Sequence, residues 1–380
     1  MRRLWLIFAQ TATISLAILF VVSTLKSNLL PFGRHGSIAT IREAVEVKGG
    51  KMSGFSSAAA KAMPSVVNIF TSHEVRMPRN PLMDDPFFRR FFGEPGQSET
   101  RRSFSLGSGV IVSPEGFILT NRHVIEAADE IEVALSDGRK SLAKVVGSDP
   151  ETDLAVLKVE FKNLTPITFG RSQDVKVGDI VLAIGNPFGV GETVTMGIVS
   201  ALGRNHLGIN TYENFIQTDA PINPGNSGGA LVDANGNLVG INTAIYSQSG
   251  GSLGIGFAIP VSFAKNVMEQ IMEKGSVTRG WIGVEVQDIS PELADSFRLS
   301  DTRGALIAGV FRGGPAYSAG MRPGDILIQL EGSPVDDASS MLNDIAELEP
   351  GKVARMTILR GGKKMELKVT VGKRPVIRKN

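Results

Sequence analysis

Three short motifs in this 380-residue chain carry residues that can do nucleophilic chemistry together. Thr120-Asn121-Arg122-His123-Val124 offers an imidazole, Thr152-Asp153-Leu154-Ala155-Val156-Leu157 a carboxylate, and Gly225-Asn226-Ser227-Gly228-Gly229 a hydroxyl. A serine hydroxyl becomes a nucleophile when a base takes its proton, and that base needs an acid to hold its tautomer. Backbone N–H groups must also converge on the developing oxyanion, each worth about 3 kcal/mol. Glycines beside Ser227 let the N–H groups of Gly225 and Ser227 converge. Each residue alone is weak: an isolated histidine is usually structural, an acid before a strand is often a turn former, and a glycine-rich run can be only a turn. Elimination favours His123. His35 lies in a polar N-terminal stretch, His73 opens a proline-rich loop, and His206 sits among glycines.

The elements around the motifs read as short strands. From Phe104 to Ala258, apolar runs such as Gly109–Val112, Phe117–Thr120, Leu154–Val159 and Ile180–Ile184 are divided by turn signals such as Asp137-Gly138 and Asn235-Gly236. That spacing predicts a β-barrel or sandwich. The order His, Asp, Ser is that of hydrolases made of two barrels, whereas a nucleophile-elbow enzyme runs Ser, Asp, His. Thirty residues separate His123 from Asp153 and 74 separate Asp153 from Ser227, which places His and Asp in one barrel and Ser in a second. Helices are predicted over 55–63 and 260–274, the latter stopped by Gly275.

Composition narrows the chemistry. The chain has no cysteine, which removes disulfides, thiolate nucleophiles and zinc–cysteine sites together. A net charge of +2 argues against a nucleic-acid partner. No metal or organic cofactor is implied. Residues 1–3 carry Arg2 and Arg3, and 4–25 form an uncharged run long enough to span a bilayer. The arginines predict a cytoplasmic end and an exported body. A cleaved signal peptide is the alternative, although no Ala-x-Ala site ends the run. Residues 26–53 read as a tether. Residues 77–102, with Phe87-Phe88-Arg89-Arg90-Phe91-Phe92, read as a long loop, either a flexible insertion or an interaction loop.

TNRHV, TDLAVL, IGNPFG and GNSGGALV resemble the HtrA family of trypsin-like serine proteases, over about Met63 to the C-terminus. The resemblance implies a mainly β, chymotrypsin-like double barrel over 54–275. It makes His123 the general base, Asp153 its orienting acid and Ser227 the nucleophile, with Gly225, Asn226 and Ser227 forming the oxyanion hole. Ile222 and Ile245 would wall a primary pocket for a small aliphatic residue such as Val or Ala, and Asp219 would be structural. Arg204 matches the family's allosteric sensor, with a solvated surface charge as its plain alternative.

Residues 276–374 resemble an α+β PDZ domain, ahead of a tail at 375–380. Trp281, Ile282, Gly283 and Val284 match the loop that holds a peptide's terminal carboxylate, in a groove that takes the peptide as an extra strand. One anchor, one protease and one PDZ domain resemble the DegS-like subgroup. That implies a homotrimer anchored in the bacterial inner membrane with its catalytic part in the periplasm, making the regulated first cut in a membrane anti-sigma factor, activated by C-terminal peptides. The 77–102 loop instead resembles DegP, DegQ and MucD-type enzymes, which degrade misfolded proteins broadly. A chaperone or peptide-binding scaffold is the reading outside enzymes.

Overall fold

Short apolar runs cut by glycine turns form two antiparallel sheets, followed by a smaller α+β domain. The computed structural model describes residues 54–76, 100–126, 128–186, 191–245 and 252–375, with Trp5, Gln10, Thr11, Thr13, Ile14, Arg42 and Glu43. The chain divides into two units, Met1–Ile38 and Ala39–Asn380, and the elements that position the site lie in the second.

The first sheet has seven strands, in the order Lys140–Leu142, Glu130–Ala134, Val66–Arg76, Thr100–Ile111, Phe117–Asn121, Leu154–Lys158 and Lys144–Asp149. Leu154–Leu157 is buried throughout, as a short continuous apolar run predicts. Asn121 pairs with Leu154 across the ladder, so the chain leaving one strand at Arg122 meets the chain entering the other at Asp153.

The second sheet closes on itself. Its ring runs Ile180–Gly185, Thr193–Arg204, Phe215–Thr218, Gly256–Pro260, Leu238–Ile245 and Ala230–Asp233, and returns to Ile180–Gly185. Closure removes free edges from this barrel. One core cluster spans both sheets, from Val110, Leu119 and Leu154 to Leu182, Ile184 and Ala230. Helix Val261–Lys274 adds Ala264, Val267, Met268 and Ile271 to that core, and Gly275 ends it in the left-handed conformation.

The C-terminal domain has its own core, which includes Ile282, Ile307, Met341 and Met356. Its main sheet runs Val284–Asp288, Ala305–Val310, Ile326–Leu330, Val353–Arg360 and Lys363–Thr370, with Val284–Asp288 at one edge. Helix Ala338–Glu347 starts with a capping box of Asp337 and Ser340.

Two expected boundaries shift, and a third expectation falls mostly outside the described residues. The membrane segment 4–25 lies outside the described residues apart from five helical positions, and among the described residues no helix is long and apolar enough to cross a membrane. Within the expected tether 26–53, Arg42–Glu43 forms a short strand that pairs in parallel with Thr168–Phe169. The loop expected over 77–102 is shorter at its far end: a strand begins at Thr100 and pairs with Arg76, while 77–99 lie outside the described residues.

Candidate active site

Asp153 sits at the turn into its strand with φ of 59°, a conformation that Asp tolerates better than most residues. Five hydrogen bonds hold it there. Its carbonyl accepts from Arg122 N–H at 2.9 Å and from Asn121 Nδ2 at 3.0 Å. One carboxylate oxygen accepts from His123 N–H at 2.8 Å. The other lies 2.6 Å from His123 Nδ1 and accepts from Thr243 Oγ1 at 3.1 Å. The carboxylate therefore fixes both the backbone and the ring of His123, and Nδ1 carries the proton in that pair. The opposite ring nitrogen is then free to act as a base.

Ser227 arrives from the second barrel. Asn223 to Asn226 form a turn in which Asn226 N–H donates to the Asn223 carbonyl at 2.9 Å, with Pro224 and Gly225 in the middle. Gly225 has φ of 93°, so the turn is type II, which requires a residue without a Cβ penalty at that position. Neither the Gly225 nor the Ser227 N–H donates to a protein group among the described residues. They are the two donors open to an oxyanion. Asn226 is a correction to the expected trio: its N–H is spent closing the turn, and it contributes geometry rather than a donor. Ser227 Oγ donates to the Thr243 carbonyl at 3.4 Å, and no hydrogen bond joins it to His123 among the described residues. Catalytic contacts are often loose without substrate.

Ile222 is buried and lies against Gly256, whose missing Cβ would come within 2.8 Å of it. The Ile245 side chain lies outside the described residues, so only one wall of the expected pocket is defined. Asp219 accepts from Ile198 N–H at 2.7 Å.

Arg204 ends its strand and donates from Nε to Gln217 Oε1 at 2.7 Å, within the second barrel. The bonds to the C-terminal domain come from residues after it. Asn205 donates to Asp337 at 3.3 Å, His206 Nε2 lies 3.2 Å from Ser339 Oγ and from Asp288 Oδ2, and Asn343 donates to the Glu213 carbonyl at 2.9 Å. A second junction is buried. Arg279 pairs with Asp149 and with Glu151, stacks on Tyr212, and is joined by Arg374, whose Nε donates to Glu151 at 2.7 Å. Burial pushes the Tyr212 hydroxyl above its ordinary pKa. Among the described residues, His206, Asp288 and Asp337 offer imidazole and carboxylate atoms within 4.8 Å of one another. Both acids already serve the helix start, Asp337 as its cap and Asp288 by accepting from Ala338 N–H.

In the C-terminal domain Gly283 has φ of 78°, and its N–H and that of Ile282 donate to no protein group among the described residues. Trp281 underlies the loop and pairs with Phe311, ring centroids 6.1 Å apart. Thr243 and Ser108 are site residues that sequence reasoning missed. Single Ser and Thr residues carry no distinguishing pattern, and only the fold brings these two to the triad.

Comparison with known proteins agrees with this arrangement. Residues 107–241 match a trypsin-like peptidase domain and residues 280–371 a PDZ domain. A probable periplasmic serine endoprotease, DegP-like, of Chlamydia trachomatis is 46% identical over 340 residues, covering 85% of this chain and 68% of the relative. A DegP-like relative in Pseudomonas fluorescens is 41% identical over 354 residues, covering 89% of this chain and 74% of its own length. The solved HtrA-type protease AlgW with a decapeptide is 55% identical, with a TM-score of 0.71, covering 85% of this chain and 100% of that one. The serine endoprotease from Yersinia pestis is 38% identical with a TM-score of 0.60, covering 87% of this chain and 100% of that one. A trypsin-like peptidase domain joined to one PDZ domain, with relatives this similar over most of the length, makes the chain a member of the HtrA-type serine endopeptidases.

Proposed function

We propose that this endopeptidase cuts polypeptides in the bacterial periplasm, tethered to the inner membrane by 4–25, with His123, Asp153 and Ser227 as its catalytic residues. The observation that carries the assignment is the pair of hydrogen bonds from His123 to the Asp153 carboxylate, together with the two open N–H groups of Gly225 and Ser227. Rotation about χ1 carries Ser227 Oγ from the Thr243 carbonyl to the imidazole. The oxygen attacks the scissile carbonyl carbon while His123 Nε2 takes its proton. The oxyanion accepts from the Gly225 and Ser227 N–H groups. Collapse breaks the C–N bond, and the proton on His123 leaves with the amine. Water then attacks the acyl-Ser227 ester through the same base, releasing the new carboxylate and restoring the serine.

The apolar wall at Ile222, with Ile245 as the second wall that the family resemblance implies, suits Val or Ala before the cut bond. The Trp281–Val284 loop takes a C-terminal carboxylate, and its peptide adds to the edge strand Val284–Asp288. AlgW has been solved with a decapeptide and with a tripeptide, which supports a peptide ligand here. The loop opened by Arg204 carries the signal to the nucleophile turn. By family resemblance the working form is a homotrimer in envelope stress response, making a first cut in a membrane anti-sigma factor. The DegP-like names of the curated relatives favour a second reading, broad protein quality control.

Digestion of unfolded casein, with Ser227→Ala as control and with or without hydrophobic C-terminal peptides, separates these. Cleavage that requires peptide supports regulated signalling. Cleavage without peptide supports quality control. Equal cleavage by Ser227→Ala overturns the enzymatic assignment.

A further inference from the structure

The two halves of the triad ride on different sheets, and one buried serine of the first sheet grips the turn of the second. Ser108, on strand Thr100–Ile111, is fully buried. Its N–H donates to the Ser227 carbonyl at 2.8 Å, and its Oγ donates to the Gly225 carbonyl at 2.6 Å. The same Oγ accepts from Asn186 N–H at 2.8 Å, at the end of barrel strand Ile180–Gly185. The Ser108 carbonyl accepts from Thr120 Oγ1 at 2.7 Å, which ties it to the strand leading to His123. Its hydroxyl proton and one lone pair are therefore both used, and both partners are backbone groups of the other barrel.

We propose that Ser108 is a positioning residue for catalysis: its hydroxyl sets the oxyanion-binding turn at the correct height above the His123–Asp153 pair. The carbonyls of Gly225 and Ser227 bracket the Asn226–Ser227 peptide, whose N–H is one of the two open donors. Fixing both carbonyls fixes that N–H and the orientation of the Gly225–Asn226 peptide plane. The crowding leaves little slack, since a Cβ at Gly185 would lie 2.9 Å from Asn226 Cα. Ser108→Ala orphans a buried carbonyl and a buried N–H. The turn then drifts relative to the base, and misplacement by less than an ångström is costly in rate.

This rests on the triad assignment above, and the test keeps the two apart. In the full chain, Ser108→Ala is expected to lower kcat between about tenfold and 100-fold with KM within about twofold. Affinity for a peptide boronic acid, whose oxygen occupies the oxyanion site on Ser227, should fall in parallel. Ser108→Cys, a similar volume with a weak donor, should fall between the two, and it serves alone where the alanine variant does not fold. A kcat within twofold of the parent, or boronate affinity unchanged while kcat falls, overturns the proposal. Ser227→Ala is run beside it: cleavage equal to the parent there overturns the triad assignment, whereas a loss of several orders of magnitude with an unaffected Ser108→Ala overturns only the role of Ser108.

Discussion

Asp153 meets His123 twice, accepting from its backbone N–H on one carboxylate oxygen at 2.8 Å and facing its Nδ1 with the other at 2.6 Å. The first bond places the chain, and the second sets the tautomer. Asp153→Asn keeps an acceptor for the backbone N–H but turns an amide donor or a neutral oxygen toward Nδ1. Its kcat is expected to fall by about 10⁴ with little change in melting temperature. Steady-state kinetics beside a thermal melt checks this, and a loss below about tenfold would remove Asp153 from the mechanism.

Thr243 supports that acid from the other barrel. Its hydroxyl donates to Asp153 and accepts from Asn121 Nδ2 at 3.1 Å. Thr243→Val keeps the shape, deletes both bonds, and removes one of the two acceptors of the Asn121 amide. A fall in kcat of about tenfold and a stability loss of about 1–2 kcal/mol are expected, read by kinetics and urea unfolding.

The buried Arg279–Asp149 pair predicts an asymmetry. Asp149→Ala leaves a guanidinium that is 6% exposed without its main counter-charge and should cost about 3–5 kcal/mol. Asp149→Leu combined with Arg279→Met removes both charges and should recover most of that loss. Chemical unfolding of the three chains tests it, and equal stability of the single and double variants would show that the charges do not interact.

Glu192 supplies a pH dependence. Burial raises its pKa from 4.5 to about 7, against the Ser136 hydroxyl, which lowers it, and one carboxylate oxygen is buried with no partner among the described residues. A raised carboxyl favours the folded state in its neutral form. That stability is fully present below about pH 4.5, declines as pH rises, and is lost above about 7. Glu192→Gln should flatten this part of the stability profile, and an unchanged slope between those limits would place the titration elsewhere.

The candidate residues His123, Asp153 and Ser227 could be picked out in the sequence because each sits in its own local motif, and the structure pairs the first two through the Asp153 carboxylate. The strand and turn pattern around them was legible because it too is local. What escaped was made by long-range packing. Ser108 reaches Gly225 across 117 residues, and Arg279 reaches Asp149 across 130. No local pattern encodes either contact. Arg204 is still in the ladder, paired with Phe215, and the chain turns toward the C-terminal domain only at Asn205, a boundary that the glycine-rich sequence there does not mark.

The turn from Asp149 to Asp153 has two clients. At one end Asp149 and Glu151 receive Arg279 and Arg374 of the PDZ side, and at the other Asp153 holds the His123 imidazole. The modules are thus not freely interchangeable. A chimera that grafts a foreign peptide-reading domain after Gly275 would strip two cations from the turn that carries the acid. To preserve the scissors along with the new handle, the graft must bring an arginine at each of those positions.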